Sequence, residues 1–247
     1  ILPVLKLSSV VNFRTSNNQI VYTNSTQKGQ KIMHENILNL SIEDRIEIVR
    51  NTMKKIESDK ITILTGSNGS GKSLIRQQLA FKFAKELNCS PRGLTIDVSM
   101  AKRTASNPDL GALASFMADD PTEPTSLATF YHIQTLFNSI GPEHNWYPYI
   151  ILDEPEIGMS KDSQLGLASY LKGNKETILH NSKGMCIITH SEFLVKELES
   201  ISTFLNMDGY ETVNEWINRT IIPTDFDTLQ KKSSELFHHL TKNKRHY

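Results

Sequence analysis

A run of β-branched and apolar residues, Ile61-Thr-Ile-Leu-Thr65, passes directly into Gly66-Ser67-Asn68-Gly69-Ser70-Gly71-Lys72-Ser73 and then into a helix-forming stretch, Leu74 to Leu87. Strand, G-x-x-x-x-G-K-S loop and helix in that order form the phosphate-binding P-loop pattern. The loop glycines let successive backbone N–H groups turn inward around the β- and γ-phosphates. The helix that follows presents unpaired amides and the positive end of its dipole to the same place. Lys72 adds a point charge, and Ser73 offers a hydroxyl oxygen to Mg²⁺, a hard cation whose other ligands come largely from the triphosphate. Gly66, Ser67, Asn68, Gly69, Ser70, Gly71, Lys72, Ser73 and Leu74 are therefore expected to hold a nucleoside triphosphate.

Such a loop needs a partner that holds the metal and positions water. Tyr149-Ile-Ile-Leu152 followed by Asp153-Glu154-Pro155 has the required form, a buried parallel strand ending in two carboxylates. Asp153 reads as the Mg²⁺ contact. Glu154, one residue further along an extended chain and so turned to the other side, is placed to take a proton from the attacking water. A third strand, Met185-Cys-Ile-Ile188-Thr189, ends in His190-Ser191. A histidine there either faces the ligand crevice and senses the γ-phosphate or is an ordinary hydrogen-bonded residue at a strand end.

Together Gly66–Ser73, Ile151-Leu-Asp-Glu-Pro155 and Ile187-Ile-Thr-His190 resemble the ATP-binding cassette (ABC) class of ATPases over residues 60–206. The resemblance implies ATP and Mg²⁺ as ligands, with Lys72 and Ser73 on phosphate and metal and Asp153 as the metal-binding aspartate. It also implies Glu154 as catalytic glutamate and His190 as switch histidine. A Leu-Ser-Gly-Gly-Gln signature is absent; the nearest counterpart is Pro124-Thr125-Ser126 before a helical run with Leu127, Phe130, Ile133, Leu136, Phe137 and Ile140. Ser126 is either the serine that reaches the nucleotide of an opposing subunit or a plain helix cap. No glutamine lies between Gln78 and Gln134 for a Q-loop, and no aromatic residue between Tyr22 and Phe81 for stacking on adenine. Glu156-Ile-Gly158-Met-Ser160 stands where transporters carry Ser-Ala-Leu-Asp. The chain thus looks more like the soluble ABC ATPases of the overcoming-lysogenization-defect and the recombination and chromosome-maintenance types, which work as ATP-clamped dimers on nucleic acid or with an effector protein.

Lys plus Arg and Asp plus Glu both number 27, so no global field advertises nucleic acid. The basic C-terminal end, Lys231-Lys232 and Lys242 to His246, reads as a solvated helix face and tail. Cys89 and Cys186 are the only cysteines, Cys186 within a buried strand, so a reduced, cytoplasmic setting is expected. No stretch reaches the roughly 18 apolar residues of a membrane helix. His238, His239 and His246 lack partners at metal spacing.

The expected fold is α/β: a P-loop NTPase three-layer sandwich with a mainly parallel sheet and a small N-terminal antiparallel β element. One domain would fill 1–247, with a hairpin and helix decoration over 1–59, the nucleotide-binding core over 60–206 and a helical extension over 207–247. The hairpin draws on Leu5, Leu7, Val10, Val11, Phe13 and Ile20-Val-Tyr22 around Ser16-Asn17-Asn18. Ser41-Ile-Glu-Asp44 resembles a capping box opening a helix with the stripe Ile42, Ile46, Val49, Met53 and Ile56. Further expectations are a core strand at Leu94–Val98, a loop-rich stretch at Ala101–Thr125 with a surface Arg103, helices at Lys161–Leu171 and Glu192–Leu198, and an edge strand at Phe204–Met207. A final amphipathic helix carries Phe226, Leu229, Leu236, Phe237 and Leu240. The leading functional reading is an ATP-hydrolysing ABC-type ATPase that dimerises with ATP. A nucleotide-gated binding module without turnover is the alternative; a transporter cassette and a small-molecule kinase fit less well.

Overall fold

Tyr149-Ile-Ile-Leu, Met185-Cys-Ile-Ile and Ile61-Thr-Ile-Leu carry no polar face, so each strand is stable only with cover on both sides. The computed structural model, which describes residues 12–14, 20–22, 40–86, 95–99, 104–105, 125–221 and 225–242, provides that cover. The chain divides into two units, Ile1–Met33 and His34–Tyr247. In the first, β1 (Asn12–Arg14) pairs antiparallel with β2 (Ile20–Tyr22), Phe13 opposite Val21, as the hairpin reading expected.

The second unit opens with α1 (Ile42–Lys55), then β3 (Ile61–Thr65), α2 (Lys72–Glu86), β4 (Thr95–Ser99) and β5 (Thr104–Ala105). It continues through α3 (Thr125–Asn138), β6 (Tyr149–Asp153), α4 (Lys161–Gly173), α5 (Lys175–Asn181), β7 (Met185–Ile188), α6 (Glu192–Leu198), β8 (Thr203–Asn206), α7 (Val213–Ile217) and α8 (Phe226–Lys242). Among the described residues the strands form one sheet in the order β5-β4-β6-β7-β3-β8, parallel except for β5, which closes one edge antiparallel to β4. This is the expected α/β P-loop NTPase architecture. Ile61, Ile63, Ile150, Leu152, Met185 and Ile187 pack on one face against α3, α4, α5, α6 and α7. Leu64, Tyr149, Ile151, Cys186 and Ile188 pack on the other against α1 and α2. Side-chain alternation thus sends apolar residues both ways and makes three layers.

Strand β7 lies between the P-loop strand and the carboxylate strand. Leu64 and Asp153 both pair with Ile188, so Leu64, Ile188 and Asp153 stand level across three strands. The P-loop, Glu154 and His190 consequently leave the sheet at one edge, the carboxyl ends where α/β sheets bind ligands.

Several boundaries differ from expectation. α2 begins at Lys72 rather than Leu74, because the loop itself supplies its first carbonyls: Leu74 and Ile75 both donate to Gly71 O. The strand expected at Leu94–Val98 is described over Thr95–Ser99, Leu94 lying outside the described residues, and the helix expected at Lys161–Leu171 continues to Gly173, with α5 following at once. β8 is the edge strand expected near Phe204. At α1, Ser41 Oγ accepts from Asp44 N at 3.2 Å and donates to Asp44 Oδ2 at 2.7 Å. That caps the helix through the side chains instead of the full reciprocal box. Arg103, Cys89, Leu87 and His246 lie outside the described residues. No helix among the described residues is long and apolar enough to cross a membrane.

Arg45 is the one charge fully withdrawn from solvent on α1, where only apolar residues were expected to turn inward. Its guanidinium donates to Gly69 O of the P-loop and to Lys232 O of α8, each at 3.0 Å, and so joins three elements. Two charge-assisted bonds to carbonyls offset the cost of burying the cation. Arg45→Ala strands both carbonyls and should lower unfolding stability by about 2–4 kcal/mol. Urea denaturation measures it; an unchanged midpoint contradicts the joint.

Candidate functional site

The P-loop conformation depends on glycine at particular places. Gly71 has φ of +108°, and a Cβ there would sit 2.7 Å from Val49 Cγ2; at Gly66 a Cβ would meet Met207 Cβ at 2.7 Å. Side chains are thus excluded where α1 and the end of β8 press on the loop. Lys72, 8% exposed, donates from Nζ to Gly66 O at 2.7 Å and Ser67 O at 3.0 Å. Burial lowers the ammonium to about 8, against the opposing pull of the Asp208, Glu154, Asp153 and Glu156 carboxylates. Ser67 N donates to Asp208 Oδ2 at 2.7 Å. Asp208 is held in turn by Asn206, whose Oδ1 accepts from Asp208 N and whose amide donates to Thr65 Oγ1, both at 2.8 Å. The loop is thus held by internal contacts: two carbonyls accept from the ammonium, and a carboxylate accepts from the Ser67 amide.

Asp153 closes β6, and its Oδ2 takes a 2.7 Å ion pair from Arg76 Nη1, one helical turn beyond Lys72. Glu154 does not continue an extended chain, contrary to the sequence-based expectation. The strand ends at Asp153, and Glu154 turns left-handed at φ +52°, its N–H donating to Ile188 O at 2.8 Å. For a residue with a Cβ this is a strained conformation, and it swings the carboxylate toward His190. Glu154 Oε1 lies 3.6 Å from His190 Nε2. Burial, then the nearby Asp153, raises the Glu154 carboxyl above its usual range. Burial, with Lys72 and Arg219 adding repulsion, drops His190 to about 4, so its ring is neutral near pH 7. A carboxylate with raised proton affinity beside a neutral imidazole suits general-base work.

The turn after Glu154 is latched to the His190 segment. His190 N donates to Glu156 Oε1 at 2.9 Å, Ser191 Oγ to Gln164 Oε1 at 2.6 Å, and the Gln164 amide to Met159 O at 3.1 Å. Cys186, on β7 beneath this network, is a buried free thiol that burial raises to about 12, so it stays protonated and unreactive.

A cavity of about 350 Å³ opens between these groups. Asn68, Gly69, Gly71, Lys72, Ser73 and Leu74 line it together with Asp153, Glu154 and His190, and α8 adds Ser233, Leu236 and Phe237. Gly66, Ser67 and Ser70 do not line the cavity; Gly66 and Ser67 supply the Lys72 acceptors. Ser126, second residue of α3, does not line the cavity. Ser73 and Asp153 give a hard cation two protein oxygens in one cavity, and Asp153 already holds a cationic group, so this donor set fits Mg²⁺ completed by phosphate and water. Among the described residues no group of three or more His, Cys, Asp or Glu could hold a metal unaided.

Sequence reasoning missed Arg76, Asp208 and the part of α8 that closes the cavity. Arg76 had a signal, its position four residues after Lys72 on one helix face. Asp208 had a weaker one, the acidic turn Asn206-Met-Asp-Gly209 directly after a strand. The docking of α8 had none, since it depends on a contact between residues 45 and 232.

No protein-family model matches the chain, and no curated protein matches it significantly. Among solved structures it is similar to the Aeropyrum pernix ORC2 protein in ADPNP and ADP complexes (14% identity over 66% of this chain and 46% of that one, TM-score 0.31). It is also similar to Cdc6p from Pyrobaculum aerophilum (13% identity, 74% and 47%, TM-score 0.34) and to Drosophila ORC bound to AT-rich DNA and Cdc6 (11% identity, 78% and 36%, TM-score 0.31). The chain spans less than half the length of each. Likeness at this level leaves the reading of the site to its own geometry.

Proposed function

We propose that this chain is an ATP-binding and ATP-hydrolysing ATPase of ABC type, working with Mg²⁺ and pairing with a second copy when ATP is bound. Its cycle would serve a cytoplasmic process on nucleic acid or with an effector protein, such as repair or defence. One observation carries the reading: the P-loop with Lys72, the Asp153–Glu154 pair and His190 meet at a single cavity from three adjacent parallel strands.

In this mechanism the P-loop amides and Lys72 take the β- and γ-phosphates, the ammonium exchanging the carbonyls of Gly66 and Ser67 for phosphate oxygens. Asp153 and Ser73 would hold Mg²⁺, which would supply charge neutralisation to the triphosphate. Arg76 engages Asp153 through Oδ2, so Oδ1 would face the cation or Oδ2 would exchange partners. Glu154 orients water in line with the γ-phosphorus and accepts its proton, while the neutral His190 donates from its ring to a γ-oxygen. Glu156 holds the His190 backbone in place for that contact. Ser126 would act across the dimer on the partner copy's nucleotide, consistent with its position away from the cavity of its own chain.

The ion pair of Arg76 on Asp153, the residue proposed to hold the cation, favours a second reading: a nucleotide-gated module without turnover. Phosphate release decides between them. The wild type should hydrolyse ATP, and Lys72→Ala should lose roughly 100-fold or more. No release above background from the wild type leaves only the gated module. Glu154→Gln should bind ATP without cleaving it and double its mass by light scattering in MgATP; a variant that stays monomeric contradicts the dimer cycle.

The profile of kcat/KM against pH gives an independent check. Lys72, at about 8 in the free chain, is protonated below that value and neutral above it, and a polyanion requires the charged form. Efficiency should therefore fall about tenfold for each pH unit above roughly 8, and fall again on the acid side as the raised Glu154 carboxyl takes up a proton. A profile that stays flat through pH 10 would rule out this role for Lys72.

A further inference from the structure

Helix α4 buries the stripe Leu167, Ala168 and Leu171, each at 1% exposure or less, in the core cluster that covers one face of the sheet. Gln164 stands three and four residues ahead of Leu167 and Ala168, so it continues that stripe where packing alone calls for an apolar side chain. It is half-buried, and its amide is bonded at both ends. Oε1 accepts from Ser191 Oγ at 2.6 Å, and Nε2 donates to Met159 O at 3.1 Å. Ser191 fixes the direction of that amide. Its hydroxyl accepts from Leu194 N at 3.1 Å as the cap of α6, and its one proton goes to Gln164.

The two bonds reach the two segments that carry the reacting groups. Met159 ends the turn that starts at Glu154, a turn shaped by Ile157 N donating to Glu154 O and Met159 N to Glu156 O. Ser191 directly follows His190 in the short link between β7, which ends at Ile188, and α6, which starts at Glu192. His190 itself belongs to neither strand nor helix, so its placement depends on side chains that grip the link. Glu156 Oε1 accepts from the His190 N–H at 2.9 Å, and Thr189 Oγ1 accepts from the Ser191 N–H at 2.9 Å. Gln164 completes the grip from a helix that is fixed in the core.

We infer that Gln164 is a positioning residue for His190: anchored on the turn that carries Glu154, its amide holds the link so that the imidazole stays 3.6 Å from the Glu154 carboxylate. The inference rests on the ATPase reading, which makes Glu154 and His190 the groups that act on water and on the γ-phosphate. A leucine at 164 would extend the apolar stripe and supply neither bond. The amide is therefore explained by what it joins and not by what it packs against.

Single-turnover hydrolysis by the full chain, with the Kd for ATP measured separately, tests this on the wild type, Gln164→Leu, His190→Ala and the double variant. Gln164→Leu keeps the stripe apolar, so its urea midpoint and its Kd should match the wild type while the hydrolysis rate falls roughly tenfold. In the His190→Ala background the same substitution should cost about twofold at most, because the residue it positions is gone. An undiminished loss in that background overturns the role, as does a wild-type rate in Gln164→Leu or a loss of ATP affinity in place of rate. The ring resonances of His190, identified by their absence in His190→Ala, give a readout independent of turnover. Mg²⁺ with a non-hydrolysable ATP analogue should shift them in the wild type and leave them close to their nucleotide-free positions in Gln164→Leu at saturation. Equal shifts in both overturn the role. If the wild type binds nucleotide without releasing phosphate, the hydrolytic reading fails and these resonances alone decide; if it binds none, the P-loop reading fails and the inference with it.

Discussion

A buried ammonium surrounded by carboxylates organises this site. Lys72 is nearly sealed from solvent, and desolvation is the main cause that lowers its proton affinity. Asp208, Glu154, Asp153 and Glu156 restore part of its charge, and the Gly66 and Ser67 carbonyls take two of its protons as hydrogen bonds. Those acceptors are weaker partners than phosphate oxygens carrying formal charge. The two neutral carbonyls on Lys72 therefore have more strongly charged counterparts on a triphosphate. Asp153 likewise carries a cationic partner, the guanidinium of Arg76.

The parallel sheet makes the meeting of these groups possible. Because β7 stands between β3 and β6 and all three are in register at Ile188, three loops that are far apart in sequence emerge side by side. The left-handed turn at Glu154 adds a local correction that regular strand geometry could not supply, aiming one of two adjacent carboxylates at His190 while the other stays on Arg76. Hydrogen bonds from His190 N to Glu156 and from Ser191 to Gln164 then hold the strained turn against the neighbouring loop.

Much of this is legible in the residues themselves. Ile61–Ser73 announces a strand, a loop and a helix because its glycines and its β-branched run satisfy local rules that tertiary context seldom overrides. The continuous apolar character of Tyr149–Leu152 and Met185–Ile188 likewise announces strands covered on both faces. Other parts are not legible. The orientation of Glu154 follows from a single φ, and the short strand Thr104–Ala105 is defined by its partner, not by its own two residues. Arg45 was hidden in the stripe of Ile42, Ile46 and Val49, since its burial depends on carbonyls from residues 69 and 232. The closure of the cavity by α8 belongs to the same long-range class, and so does the carboxylate of Asp208 on the Ser67 amide.

The most direct measurement is a crystal structure of the chain with Mg²⁺ and a non-hydrolysable ATP analogue, read at Lys72 and Asp153. Lys72 Nζ is predicted to leave Gly66 O and Ser67 O for phosphate oxygens, and Asp153 to hold the cation through Oδ1 or Oδ2. An analogue bound elsewhere, with Lys72 still on the two carbonyls and no cation on Asp153, would contradict the account.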